Sequence, residues 1–144
     1  MYINNFQIEL DFYVINFYTN LDPCIIDGVA SGTAIPGIAM AYSNSQYLGF
    51  FGYLHDYSNN YLTFFNGYFS TNQWYKIKWT VANNTMTGII TDIATGNVIY
   101  NESVSVLTVT TTPPTQILRI GNTQYAQNRA FHGYLRNFKL WKLN

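Results

Sequence analysis

Charge is what this chain has least of. Seven basic and seven acidic side chains in 144 residues make up 10% of the composition and cancel to a net charge of zero, against about 25% charged residues in an ordinary soluble domain. Binding nucleic acid by neutralising phosphates needs a basic excess, so no nucleic-acid partner is expected. Cysteine is nearly missing: Cys24 stands alone, can form no internal disulfide and cannot build a metal cluster by itself. Histidine occurs only at His55 and His132, and no two His or Cys fall at zinc-ligand spacing. Apolar runs are short, far below the roughly 18 residues that read as a membrane span, so no membrane insertion is expected. The opening Met1-Tyr2-Ile3-Asn4-Asn5 lacks the basic head and apolar stretch of a signal peptide. The chain is therefore expected to be made in the cytoplasm or cut from a longer protein. Helical periodicity is absent too: nowhere do apolar residues recur at i, i+3, i+4 and i+7 over two turns.

What the chain does have is aromatic and apolar surface. Aromatics reach 18%, as 13 Tyr, 10 Phe and 3 Trp, and apolar residues reach 48%, which excludes intrinsic disorder. Area scaling gives roughly 7,500 Å² exposed when folded against roughly 24,000 Å² unfolded, enough burial for one core without disulfides or metal. One domain is expected over residues 1–144. Alternation dominates its pattern. Phe6, Ile8, Leu10, Phe12 and Val14 alternate with Gln7, Glu9, Asp11 and Tyr13, a strand with one apolar and one polar face. Tyr75, Ile77, Trp79 and Val81 repeat it against Lys76, Lys78 and Thr80, and Asn97 to Val106 is rich in β-branched residues.

Further strands are expected at Ile38–Tyr42, Tyr47–His55, Tyr61–Phe65, Thr85–Asp92, Ile117–Gly121 and Tyr134–Leu143. Turn residues separate them: Asn83-Asn84 after the Trp79 strand, and Ala94-Thr95-Gly96-Asn97 after the next. Pro113-Pro114 closes a Thr-rich crossover, since proline has no place inside a central strand. Pro23 and Pro36 limit strands in a stretch, Thr19 to Gly37, that shows little else. About nine or ten short strands without helices make an all-β, antiparallel two-sheet β-sandwich or jelly roll. In the last strand Leu135, Phe138 and Leu140 are spaced by three and then two, so period two fails at Arg136-Asn137. A β-bulge there restores the pattern; the plainer alternative turns Tyr134 inward and leaves Leu135 exposed.

Three segments carry a family resemblance when taken in order. Phe6-Gln7-Ile8-Glu9-Leu10-Asp11-Phe12-Tyr13-Val14 resembles the opening strand of laminin-G-like domains of the concanavalin A-like lectin/glucanase superfamily. Trp74-Tyr75-Lys76-Ile77-Lys78-Trp79-Thr80-Val81 resembles that family's Trp-led central strand. Leu118-Arg119-Ile120-Gly121 and Phe131-His132-Gly133-Tyr134-Leu135-Arg136-Asn137-Phe138-Lys139-Leu140-Trp141 are similar to its closing pair. The resemblance implies a concanavalin A-like jelly roll but no particular ligand, because function lives in the site and not the scaffold. Trp74 is expected to wedge between the two sheets, and Gly121 and Gly133 to stand where a Cβ would obstruct a turn or a close backbone approach.

The superfamily includes glycoside hydrolases with a motif similar to E-x-D-x-x-E. Here Glu9 and Asp11 share a strand face about 7 Å apart, but Val14 replaces the third acid, and paired carboxylates are what that chemistry requires. Solvent-facing acids on an outer strand account for them better. Gly28-Val29-Ala30-Ser31-Gly32 lacks the spacing of a nucleophile elbow, and Cys24 is the small buried kind. No enzyme is expected. Calcium is the one cofactor left open: Asp22, Asp27, Asp56 and Asp92 fall at loops or strand ends, as hard cations need several oxygens, yet isolated turn aspartates commonly bond their own backbone.

The aromatics point elsewhere. On Tyr47–His55, alternation sets Tyr47, Gly49, Phe51, Tyr53 and His55 on one face and Leu48, Phe50, Gly52 and Leu54 on the other. One face belongs to the core, and the other displays flat rings with polar tips, suited to stacking sugars. Tyr47, Tyr53, His55 and Tyr57 are the ligand-binding candidates here. The amide-rich loop Asn122 to Arg129 adds Tyr125 and Arg129. The bland reading is a central strand covered on both faces.

Two functions follow. The first is a non-catalytic recognition module for a glycan or cell-surface polysaccharide. The second is a structural domain of a virion, phage tail or bacterial surface assembly, whose aromatic face packs against other chains or a second copy as a homo-oligomer. The Asn-, Tyr-, Ile- and Thr-rich composition resembles that of phage tail and surface proteins, which sets the expected location at a virion or cell surface.

Overall fold

The alternation at the start of the chain folds as read. In the computed structural model, β1 (Phe6–Val14) buries Phe6, Ile8, Leu10, Phe12 and Val14 on one face. The structure describes residues 5–16, 24–27, 37–42, 50–55, 62–64, 69–105, 119–121 and 131–143; at 24, 27, 37–42, 50–55 and 62–64 it describes the backbone alone. Nine further strands follow: β2 (Cys24–Asp27), β3 (Gly37–Tyr42), β4 (Phe50–His55), β5 (Leu62–Phe64), β6 (Trp74–Ala82), β7 (Thr85–Asp92), β8 (Val98–Ser105), β9 (Arg119–Ile120) and β10 (Gly133–Lys142). Among the described residues there is no helix, and none long and apolar enough to cross a membrane.

The strands form two five-stranded sheets, ordered β10-β1-β6-β7-β8 and β5-β4-β3-β2-β9. Every described pairing is antiparallel. The chain crosses between sheets four times, so its first and last strands lie side by side. Ile25 and Ile26 of β2 join the inward residues of β1, β6 and β7 in one buried cluster. The molecule is a β-sandwich.

Neighbouring positions on a regular strand face opposite ways, yet Ile25 and Ile26 are both fully buried. A register shift between Cys24 and Ile26 explains it: two residues of β2 advance against one of β3, which is a bulge. Pro23 and Pro36 stand immediately before β2 and β3.

Trp79 is the largest fully buried side chain. Its register partner on β7 is Gly88, which brings no side chain into the same space. Phe6 meets the indole edge-on at 5.3 Å, and Phe12, Phe69 and Tyr75 form a second aromatic group at centroid distances of 5.2 to 5.9 Å. Phe69 belongs to the core, and the Tyr75 hydroxyl accepts from the Ser70 amide.

Trp74 corrects the sequence expectation. It lies not between the sheets but on the outer face of β6, half-buried against Tyr13 and under Arg136. Alternation from buried Tyr75 requires this, and Trp79 holds the interior place.

The turns follow their chemistry. Asn83 and Asn84 both have positive φ, 50° and 58°, joining β6 to β7 by a two-residue turn whose twist suits a hairpin. Gly121 has φ 78° at the end of β9, where its amide donates to the Ile25 carbonyl. Gly133 is required for another reason: a Cβ there would collide with the Tyr13 carbonyl oxygen.

The irregularity in β10 is a bulge. The pairing with β1 shifts between Glu9 and Asp11, so that three residues of β10 advance against two of β1. Asn137 takes φ 55° there. Leu135, Phe138 and Leu140 pack on the core while Tyr134 is 58% exposed.

Candidate functional site

Three adjacent strands, β10, β1 and β6, carry an ordered outer face. Their registers align it in rows. Tyr134, Tyr13 and Trp74 form the first row. Arg136, Asp11 and Lys76 form the second, and Lys139, Glu9 and Lys78 the third. Trp141, Gln7 and Thr80 complete the face. The polar half of β1's alternation is its middle column.

The first row is a continuous aromatic strip. Tyr13 lies 5.4 Å from Trp74 and 5.7 Å from Tyr134 between ring centroids, tilted by 54° and 50°. Its hydroxyl donates to the Asn72 side-chain oxygen at 3.4 Å. Asn72 takes φ 60° in the turn before β6, its amide donating to the Val14 carbonyl. Rings with polar tips beside a placed amide suit a ligand with both C–H faces and hydroxyls.

Asp11 anchors the second row. The expectation of a solvent-facing acid on an outer strand is overturned: β1 lies inside its sheet, and Asp11 is 3% exposed. Its Oδ2 accepts from Asn137 Nδ2 at 2.6 Å and from Arg136 Nε at 3.2 Å. The bulge brings these two consecutive residues onto the same face. Oδ1 is buried without a hydrogen-bond partner among the described residues. Burying a carboxylate is costly unless it is paired, so Asp11 holds both neighbours in place. The Arg136 guanidinium lies 3.9 Å over the Trp74 ring, a cation–π contact. Glu9 accepts from Gln7 Nε2 at 3.1 Å.

The sequence candidates fall differently. Tyr53 and His55 lie on β4, where Tyr53 stands in register with Ala39 and Thr63 and His55 with Gly37. Their side chains, and all of Tyr47, Tyr57, Tyr125 and Arg129, lie outside the described residues. Nothing described brings Tyr53 and His55 together with the outer aromatic strip. Sequence reasoning passed over that strip because its members come from three distant segments. The outward parity of Tyr13 and Trp74 was the available signal.

Of the acids weighed for calcium, Asp22 and Asp56 lie outside the described residues, and at Asp27 only the backbone is described. Asp92 is engaged in its own turn. Its Oδ1 accepts from the amides of Ala94 and Thr95 at 2.8 and 3.3 Å, and its Oδ2 from Gln73 Nε2 at 2.5 Å. Among the described residues no three His, Cys, Asp or Glu are grouped to hold a metal ion.

A scan against protein-family models and a search of curated proteins find no match. Solved structures do match in fold. Domain 4 of AbnA, a GH43 extracellular arabinanase from Geobacillus stearothermophilus, in complex with arabinotriose, superposes with a TM-score of 0.63 at 12% identity, covering 96% of this chain and 61% of that one. Full-length tailspike protein 2 from the Escherichia coli O157:H7 bacteriophage CAB120 gives 0.60 at 13% identity, covering 96% of this chain and 20% of that one. A protein of unknown function from Shewanella oneidensis MR-1 gives 0.54 at 13%, covering 96% and 56%. The chain thus spans less than two thirds of each of these proteins. At such identities the likeness shows the shared β-sandwich.

Proposed function

We propose that the chain is a non-catalytic glycan-recognition module of a phage tail or bacterial surface protein, built on a laminin-G-like, concanavalin A-like sandwich. The observation that carries this reading is the outer aromatic strip, Tyr134, Tyr13 and Trp74, edged by Arg136 and Asn72. Tyr134 is exposed and Tyr13 and Trp74 are partly so, all on the face turned away from the core. Two neighbours support the context: the arabinanase domain was solved with arabinotriose, and the tailspike belongs to a phage. The carboxylates favour binding over hydrolysis, since Asp11 is buried against Arg136 and Asn137 and Val14 stands where a third acid would. A cell-surface polysaccharide is the natural partner.

The test is a glycan array with the intact chain, followed by calorimetry on any hit. Binding should fall at least about tenfold in Tyr134→Ala and in Trp74→Ala, a loss of roughly 1.4 kcal/mol. Release of shorter sugars, abolished by Glu9→Gln, would overturn the non-catalytic part.

One observation favours the assembly reading. β8 is an edge strand of its sheet and exposes Val98, Ile99 and Val104. Exposed apolar residues on an edge strand are a template for pairing with another chain.

A further inference from the structure

We infer that the outer face of β10, β1 and β6 binds an acidic glycan, one whose sugars carry carboxylates, with one sugar ring on Tyr134 and the adjoining sugar's carboxylate on the Arg136 guanidinium. This rests on the glycan-recognition reading and names the ligand class for the same face.

Charge is the first argument. In a chain whose charges cancel overall, Lys76, Lys78, Arg136 and Lys139 gather on this face, four of seven basic residues. Only two of its seven acids, Glu9 and Asp11, accompany them. Each acid is flanked in register by two cations, so each charged row carries one positive charge in excess.

Sheet stability does not require that excess. Cross-strand ion pairs can stabilise a sheet modestly, but Arg136–Asp11 is the single ion pair on this face among the described residues. Lys76 and Lys78 face the acids in register without closing to them.

Arg136 supplies the geometry. Its Nε is bound to Asp11 and its Cζ lies 3.9 Å from the Trp74 ring centroid, so the guanidinium is held on two sides. Its terminal amines make no hydrogen bond among the described residues, and the side chain is 47% exposed. Those two amines form the fork that receives a carboxylate bidentately. Tyr134, two positions along the same strand and on the same face, presents an exposed ring beside them. Residues two apart on a strand are about 7 Å apart, close to the span from a pyranose centre to its neighbour's carboxylate. Trp74 is a positioning residue, since Arg136 covers its ring.

The experiment measures binding of the intact chain to oligogalacturonate and to sialyllactose, each beside its carboxyl-reduced counterpart. The acidic form of at least one pair should bind at least tenfold more tightly. That preference should shrink between about 20 and 300 mM salt, as screening shortens the reach of the exposed cations. Arg136→Gln should abolish the preference, and Lys76→Gln should weaken it severalfold. Lys76 is exposed and unpaired, so its variant keeps the test valid if Arg136→Gln unfolds. Equal binding of both forms, lost in Tyr134→Ala, overturns the acidic ligand while sparing glycan recognition. Binding that ignores Tyr134, Arg136 and Lys76 places the glycan elsewhere: it overturns this inference and the aromatic strip as the site, and leaves glycan recognition itself standing. No binding to these or to any arrayed glycan overturns both readings, as does a stable oligomer that buries this face.

Discussion

Asn137 shows how a single residue sets up the face. Its φ of 55° lies in the left-handed region, and its side chain bonds the buried Asp11 carboxylate. Those two contributions can be separated. Asn137→Gly keeps the backbone conformation easy and removes only the hydrogen bond, which to a charged group contributes about 1.5–3 kcal/mol. Asn137→Val removes the bond and adds left-handed strain of about 1–2 kcal/mol. Urea unfolding should therefore rank the native chain above the glycine variant and that above the valine variant, with an unchanged m value; equal losses would refute the strain. The break in period at Arg136-Asn137 was legible in the sequence as a bulge, because Leu135 and Phe138 could not otherwise both reach the core. That the bulge exists beside a buried aspartate on another strand was not legible, as Asp11 is more than a hundred positions away.

Strands and hairpins were the most readable level. β1 and β7 begin and end where alternation and turn residues place them, because alternation records one buried and one outer face. The β6–β7 hairpin shows the turn chemistry at work. Both central residues have positive φ, which Asn tolerates and Gly prefers. Asn84→Gly should leave stability unchanged or raise it by a few tenths of a kcal/mol, whereas Asn84→Val should lower it by about 1–2 kcal/mol. Thermal melts of the two variants check this, and a harmless valine would mean the turn is not as described. β2 was beyond reach. Four residues are too few for a period, and its bulge buries Ile25 and Ile26 together. Trp74 was misplaced for a different reason: a large ring at a strand start suggests a wedge, but its parity with Lys76 had already assigned it to the outer face.

At the scale of the molecule, the two edge strands of the β10-β1-β6-β7-β8 sheet differ. β10 carries Lys139 and Lys142, charges that discourage edge pairing, whereas β8 exposes Val98, Ile99 and Val104. If the chain self-associates, it should do so through β8. Light scattering should then show the mass rising with concentration in the native chain and staying monomeric in Val98→Lys with Val104→Lys; association unaffected by those changes would point to another surface. Such a result would also leave the outer aromatic strip open for a ligand, so the recognition and assembly readings are compatible on this geometry. The sequence by itself determined most of the strands, most of their inward residues, the β6–β7 turn and the sandwich class, because hydrophobic period and turn propensity are local properties. It also held every residue of the candidate face, each on the polar side of its strand. Only the tertiary structure decided that residues 7–13, 74–80 and 134–141 become neighbours, since the chain crosses between sheets four times before β10 closes beside β1. Pairing and register are long-range properties, set when the two sheets bury their apolar faces together. They turn three separate polar stripes into one face.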